Sequence, residues 1–278
     1  MANPTGLEGI QAHLPLGQAS DQPTSLDPSV LVSVPRALAR EVEGVDASRF
    51  HGQDLWNCWE ISWLTPSGLP AMRIGQLVVP AASPNLCESK SLKLYLNSFA
   101  NTVFSDESEV IAQVVADLTA ILGVVLRFGS MPLMIRDLQY RRQKGSALMV
   151  TCRCGGVRAG CCTLQVDPHR PGQARWHTHL FRSNCPVTSQ PDWATVVVKY
   201  QAPVRLIEET LLAYLISYRN HTGFHEACIE RIYQDLLNAL DPTELVVWAG
   251  FVRRGGLDIN PVRSLRPTKF LPPRLARH

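Results

Sequence analysis

Trp56-Asn57-Cys58-Trp59-Glu60-Ile61-Ser62-Trp63 and Ala71-Met72-Arg73-Ile74-Gly75-Gln76-Leu77-Val78-Val79 are two short runs dense in aromatic and β-branched residues. Pro66, Gly68 and Pro80 bound them with turn chemistry, so both read as strands. After the segment Cys87–Phe104 the period changes. Ser105-Asp106 marks a helix start, and Val110, Ile111, Val114, Val115, Leu118, Ile121 and Leu122 form its apolar stripe.

The second half repeats this outline. Strands are expected at Ala147–Thr151, Arg175–Phe181 and Thr195–Tyr200, followed by a helix from Val204 to Arg219. A short loop, Asn220–Phe224, leads into a second helix carrying Ile229, Ile232, Tyr233, Leu236, Leu237 and Leu240. Asp241-Pro242 stops it, because the residue before proline avoids the α conformation. A last strand runs from Leu245 to about Arg253. Strand pairs with helices, given twice, predict an α+β chain of two tandem modules. A single mixed α+β domain with a long insertion is the alternative. The boundary is expected near Phe128–Gln143, where periodicity lapses. This divides the chain into an arm (1–50), a first module (51–135) and a second (136–278). The first 30 or so residues are rich in Pro, Gly, Ser and Gln and read as an extended arm, with structured sequence starting near Leu55.

The 278 residues suffice for one large domain or two medium ones. Hydrophobic residues at 45% and charged residues at 18% describe a globular rather than a disordered chain. A net charge of +3 gives no support to a large nucleic-acid footprint. No apolar run approaches the roughly 18–20 residues of a membrane span. The first residues show neither a basic region nor a continuous apolar one, so a soluble cytoplasmic protein is expected. Eight cysteines in such a chain are expected as thiols rather than disulfides. Cys152-x-Cys154 and Cys161-Cys162 lack the two or more intervening residues that turn paired sulfurs toward one zinc ion, so no metal is expected.

Three segments concentrate polar chemistry. Cys87-Glu88-Ser89-Lys90-Ser91-Leu92-Lys93 packs a carboxylate, hydroxyls and two lysines into seven residues, which a solvated loop and helix entry would also explain. In Cys185-Pro186-Val187-Thr188-Ser189-Gln190-Pro191-Asp192 a cysteine sits in a rigid turn, with an aspartate just before a strand. A nucleophilic thiolate needs partial exposure and a proton-exchanging neighbour, although a lone cysteine is more often structural. In Phe224-His225-Glu226, Glu226 suits a helix first turn by its charge. A carboxylate there can equally accept two parallel hydrogen bonds from a guanine-like ring edge.

Taken together, these stretches and Arg253-Arg254-Gly255-Gly256-Leu257-Asp258-Ile259-Asn260-Pro261 resemble the signatures of the 7-cyano-7-deazaguanine reductase family, in its long, two-module form. The resemblance runs from about Gly52 to the C-terminal tail, with the motifs in the expected order. It implies tandem tunnelling-fold modules like those of GTP cyclohydrolase I, antiparallel sheets backed by helices, and a homodimer. It implies reduction of the nitrile of 7-cyano-7-deazaguanine by two NADPH, on the route to queuosine in tRNA. By the same resemblance Cys185 is the nucleophile that forms a thioimide and Asp192 the proton donor. Cys87, Glu88, Ser89, His225 and Glu226 would contact the substrate, and Ser89, Lys90, Arg254 and Gly255 the NADPH. No Gly-x-Gly-x-x-Gly occurs, so NADPH would not be held by a Rossmann unit. No direct nucleic-acid or membrane partner is expected. The rivals are another enzyme on the same fold and a purine-binding protein without catalysis.

Overall fold

The computed structural model describes residues 22–132, 146–147, 162–268 and 275. They group into two compact units. The first holds residues 22–38, 54–132 and 253–259, the second 39–53, 146–147, 162–252, 260–268 and 275.

In the first unit both expected strands form, extended at each end: β2 is His51–Leu64 and β3 is Pro70–Pro80. Thr65 N–H donates to Leu69 O at 2.9 Å and closes the turn between them. β5 (Arg127–Pro132) pairs antiparallel with β3, and β12 (Leu257–Ser264) lies on the other side of β2. Two helices supply the rest of this core. The segment Ser89–Ser98 is helix α2, and Glu107–Leu122 is α3. Asp106 caps α3 by accepting the Glu109 N–H at 3.0 Å, while Glu109 Oε2 takes the Ser105 N–H at 2.7 Å. Gly123, at φ 67°, ends the helix in the left-handed conformation. Val110, Val114, Leu118 and Leu122 then pack with Trp56, Ile61, Leu77, Leu92, Tyr95 and Phe99.

The arm is more ordered than composition suggests. β1 (Ser33–Pro35) pairs antiparallel with β4 (Asn85–Cys87), and α1 follows at Arg36–Glu43, so regular structure starts well before Leu55. Three backbone N–H groups of the arm find hydroxyls on or just after α2: Leu26 on Thr102, Asp27 on Ser98 and Val32 on Ser91. These contacts hold the arm along the Glu-Ser-Lys segment.

In the second unit the strand order is β12–β11–β9–β8–β6. β8 (Gly172–Asn184), β9 (Pro191–Ala202) and β11 (Glu244–Phe251) are joined antiparallel. β6 (Ser146–Ala147) is parallel to β8, and residues 148–151 of the expected strand there lie outside the described residues. So do Cys152, Cys154 and Cys161. The helix expected from Val204 starts later, as α4 (Glu208–Ile216). Arg205–Leu206 instead forms β10, paired with β7 (Val166–Asp167). α5 is His225–Leu240, and Asp241 at φ 43° terminates it ahead of Pro242. Cys228, Ile229, Ile232, Tyr233 and Leu236 of α5 are fully buried. Among the described residues no helix is long and apolar enough to cross a membrane.

One buried charge cluster ties this unit together. Glu230 of α5 receives Arg40 Nη2 at 2.7 Å and Arg263 Nη2 at 2.8 Å, and Arg263 is 0% exposed. Removing the shared anion takes one carboxylate from two guanidinium groups in a low-dielectric interior. Glu230→Ala is therefore expected to lose about 3–5 kcal/mol of stability. Urea unfolding measures it, and a loss below about 1 kcal/mol would mean that water, not Glu230, balances the arginines.

Candidate active site

Cys185 begins the loop between β8 and β9. The last rungs of the hairpin pair Ser183 with Asp192 and Asn184 with Pro191. Cys185 N–H then donates to Gln190 O at 2.8 Å, and Ser189 N–H to Cys185 O at 3.0 Å. Ser189 takes a left-handed φ of 54° to close the loop. Cys185 follows directly on these rungs, at the hairpin end that Asp192 opens on the other strand. Both are buried, Cys185 at 6% and Asp192 at 3% exposure.

His225, the first residue of α5, comes to this hairpin end. Its Nε2 is 3.3 Å from Asp192 Oδ2. Its ring lies flat on Phe251 at 3.8 Å and 9°, which fixes the plane of the imidazole. Among the described residues its buried Nδ1 meets no hydrogen-bond partner. Glu226, next in the chain, is 3% exposed in the first turn of α5, where the helix dipole favours its charge. The second unit therefore brings Cys185, Asp192, His225 and Glu226 to one hairpin end and one helix start. Phe251 carries no motif and was not foreseen from the sequence.

The remaining expected residues belong to the first unit. Glu88 is the N-cap of α2, and its two oxygens accept the N–H of Lys90 at 2.8 Å and of Ser91 at 2.7 Å. Burial pushes its carboxyl above the usual range, against the opposing pull of those N–H groups. Each carboxylate oxygen offers about two acceptor sites, so capping leaves capacity for a ligand. Cys87 ends β4 directly before the cap and is buried.

Arg254-Gly255-Gly256-Leu257 forms a tight turn, with Arg254 N–H on Leu257 O at 2.9 Å. Gly255 and Gly256 have φ of 58° and 82°, which glycine adopts without strain. A Cβ on Gly255 would stand 2.8 Å from Lys93 Nζ, so the bare backbone is what admits the ammonium. Asp258 anchors the turn by accepting Trp59 Nε1–H at 2.5 Å and Asn57 Nδ2–H at 2.7 Å. The Arg253 guanidinium lies 5.3 Å over the Trp59 ring. Cys58, Glu60, Lys93, Leu96 and Asn97 line a hollow of about 60 Å3 with Gly255–Leu257. Lys90 and Lys93 are three apart on α2 and share a face. Among the described residues no cluster of three or more His, Cys, Asp or Glu is set to hold a metal ion.

A buried thiol and a buried carboxylate at one hairpin end, with an oriented imidazole on that carboxylate, form a donor set suited to thiol-dependent chemistry. Residues 22–128 match the model described as the N-terminal part of the nitrile reductase 7-cyano-7-deazaguanine reductase, and residues 191–269 match the QueF-like protein model. The chain belongs to the 7-cyano-7-deazaguanine nitrile reductase family, in its two-module form. A crystal structure of the archaeosine synthase QueF-Like in the apo form aligns with 34% of this chain and 91% of its own, at 20% identity and a TM-score of 0.30.

Proposed function

We propose that this chain reduces the nitrile of 7-cyano-7-deazaguanine to the aminomethyl group with two NADPH, through a thioimide on Cys185, in queuosine biosynthesis. The observation that carries the reading is the Cys185–Asp192 hairpin end with His225 3.3 Å from Asp192. It adjoins and enters the segment that matches the family. We further read residues 51–135 and 136–278 as tandem tunnelling-fold modules preceded by an arm, working as a cytoplasmic homodimer.

In this reading the Cys185 sulfur bonds to the nitrile carbon as one C–N π bond breaks. The nitrile nitrogen takes a proton from Asp192, and the thiol proton restores the carboxyl. His225, held flat by Phe251, keeps Asp192 oriented and offers its unpartnered Nδ1 to the bound molecule. Glu226 binds the ring edge of the deazaguanine through paired acceptors. Burial of Cys185 and Asp192 excludes water that would hydrolyse the adduct.

The Gly255–Gly256 turn, with Lys93 against it and Arg254 within it, fits a phosphate-bearing cofactor: cations for the charge and backbone that can be closely approached. NADPH held by these residues would supply hydride, twice for each nitrile and four electrons in all. Ser89, Lys90, Arg254 and Gly255 would hold it. The test is the loss of NADPH absorbance on adding 7-cyano-7-deazaguanine. Two NADPH consumed per nitrile are expected. Tight binding of the nitrile without consumption would overturn the assignment in favour of a binding protein.

A further inference from the structure

We propose that His221, set between Glu43 and Cys228, is a positioning residue for Cys185: its ring anchors the loop whose backbone braces the nucleophile's hairpin and leads directly into His225. The proposal rests on the reductase reading only in treating Cys185 as the reactive thiol.

The Cys185–Gln190 loop is closed by hydrogen bonds within itself, as described above. Its external brace is the segment 221–223. Asn184, the residue before Cys185, donates its N–H to His221 O at 2.8 Å and accepts the Gly223 N–H at 3.1 Å. Together these make a parallel bridge between Asn184 and Thr222. Two residues after Gly223 comes His225, which faces Asp192. One four-residue connection, 221–224, therefore sets both sides of the site.

That connection lies between the short helical turn Ser217–Asn220 and α5, and it carries a glycine. The His221 side chain holds it from inside. Its Nε2 is 3.3 Å from Glu43 Oε1, with side-chain exposures of 13% and 17%. Opposite charge draws the two groups together. The ring meets the edge of Tyr218 at 5.2 Å and 71°. A Cβ on Gly223 would be 2.9 Å from His221 Nε2 and 3.4 Å from Cys228 Sγ, so ring, thiol and loop backbone are in close packing.

Glu43 is itself fixed. Arg231 Nη1 donates to Glu43 O at 2.6 Å and lies 3.9 Å from its Oε2. Arg231 Nε binds Asp235 at 2.9 Å, and Asp235 receives the Tyr214 hydroxyl at 2.6 Å. The charged and titratable groups around His221 are therefore Glu43 from α1, Tyr218 from the helical turn, and Cys228, Arg231 and Asp235 from α5. Burial alone pushes the His221 imidazole down, but Cys228 and Glu43 outweigh it and hold it up at about 10. The ring stays charged at neutral pH and keeps its pull on Glu43.

Cys228, His221 and Glu43 have the side-chain types of a thiol triad, yet Cys228 is 0% exposed and no substrate reaches it. Positioning is the role left for them. A displacement of about 1 Å in a reacting group can lower a rate on the order of 10²-fold. A brace on the residue next to Cys185 is well placed to prevent one.

The experiment compares the wild type with His221→Gln, Glu43→Gln and Glu43→Asp in the full-length protein. It reads the iodoacetamide alkylation rate of Cys185, with Cys185→Ala as background, together with kcat and KM. His221→Gln is expected to slow both alkylation and kcat by about tenfold or more, with KM for the nitrile within about twofold. Glu43→Gln should move the same way and Glu43→Asp should recover part of the loss. The ratio of wild-type to His221→Gln alkylation, large at pH 8, should close as pH passes about 10 and the wild-type ring loses its proton.

Wild-type alkylation rates in folded variants would overturn the proposal. So would a deficit that only follows the fraction of folded protein. If His221→Gln does not fold, the two Glu43 variants decide by the same criteria. Alkylation needs neither nitrile nor NADPH, so a failure of the reductase reading leaves this arm intact.

Discussion

Cys185→Ala is expected to abolish nitrile-dependent NADPH oxidation, a fall of at least roughly 10³-fold, while leaving nitrile binding within a few-fold of the wild type. A nitrile carbon is electrophilic but resists direct hydride attack. Addition of sulfur turns it into a C=N carbon that accepts hydride readily, and alanine removes that route. The side chain is small and lies in a loop closed by its own backbone hydrogen bonds, so truncation should leave the hairpin standing. Glu226 and His225 are on α5 and keep their places. Calorimetric titration with the nitrile, run beside the absorbance assay, separates the two effects. Residual turnover above about 1% of wild type would show that hydride reaches the nitrile without a covalent adduct, and the role given to Cys185 would be withdrawn.

Several elements were legible because their signals are local. The aromatic and β-branched runs at 56–63 and 71–79 form strands, and Ser105-Asp106 opens α3 as a capped helix should. Other elements depend on distant partners. α2 begins with polar residues and is capped by glutamate, which is not among the favoured N-cap types, so the sequence offered no more than a loop and helix entry here. It is helical because Leu92, Tyr95, Leu96 and Phe99 reach the core. β12 contains Asn260 and Pro261, residues that argue against a strand, yet all eight of its residues are buried. Arg205–Leu206 was absorbed into the helix that follows, because its pairing with Val166–Asp167 is invisible in either segment alone.

The site shows the same division. Cys185, Asp192, His225 and Glu226 stood out as dense polar motifs. Phe251 and the His221–Glu43 pair did not. Phe251 is one apolar residue at a strand end, and Glu43 is far from His221 in the chain, on a helix within the segment 1–50 that was expected as an arm. Contacts of that kind appear only when the chain is folded.

Asp192→Asn should lower kcat by about 10²–10⁴-fold with little change in nitrile affinity, the range expected when one positioned proton donor is lost. Asparagine keeps the shape and can still lie against His225, but it cannot deliver an acid proton to the nitrile nitrogen or take one from the thiol. The loss should therefore appear in covalent addition itself. Mass spectrometry of enzyme mixed with nitrile alone would show slow build-up of the Cys185 adduct in the variant. His225→Phe, which retains the stack on Phe251 while deleting Nε2, should cost less, because it disturbs the orientation of Asp192 and leaves its proton in place. The double variant should then be little worse than Asp192→Asn alone, since residues acting through one proton transfer are not additive. Additive losses would place His225 in a separate step. Normal adduct formation by Asp192→Asn would move the aspartate from addition to a later protonation of the substrate nitrogen.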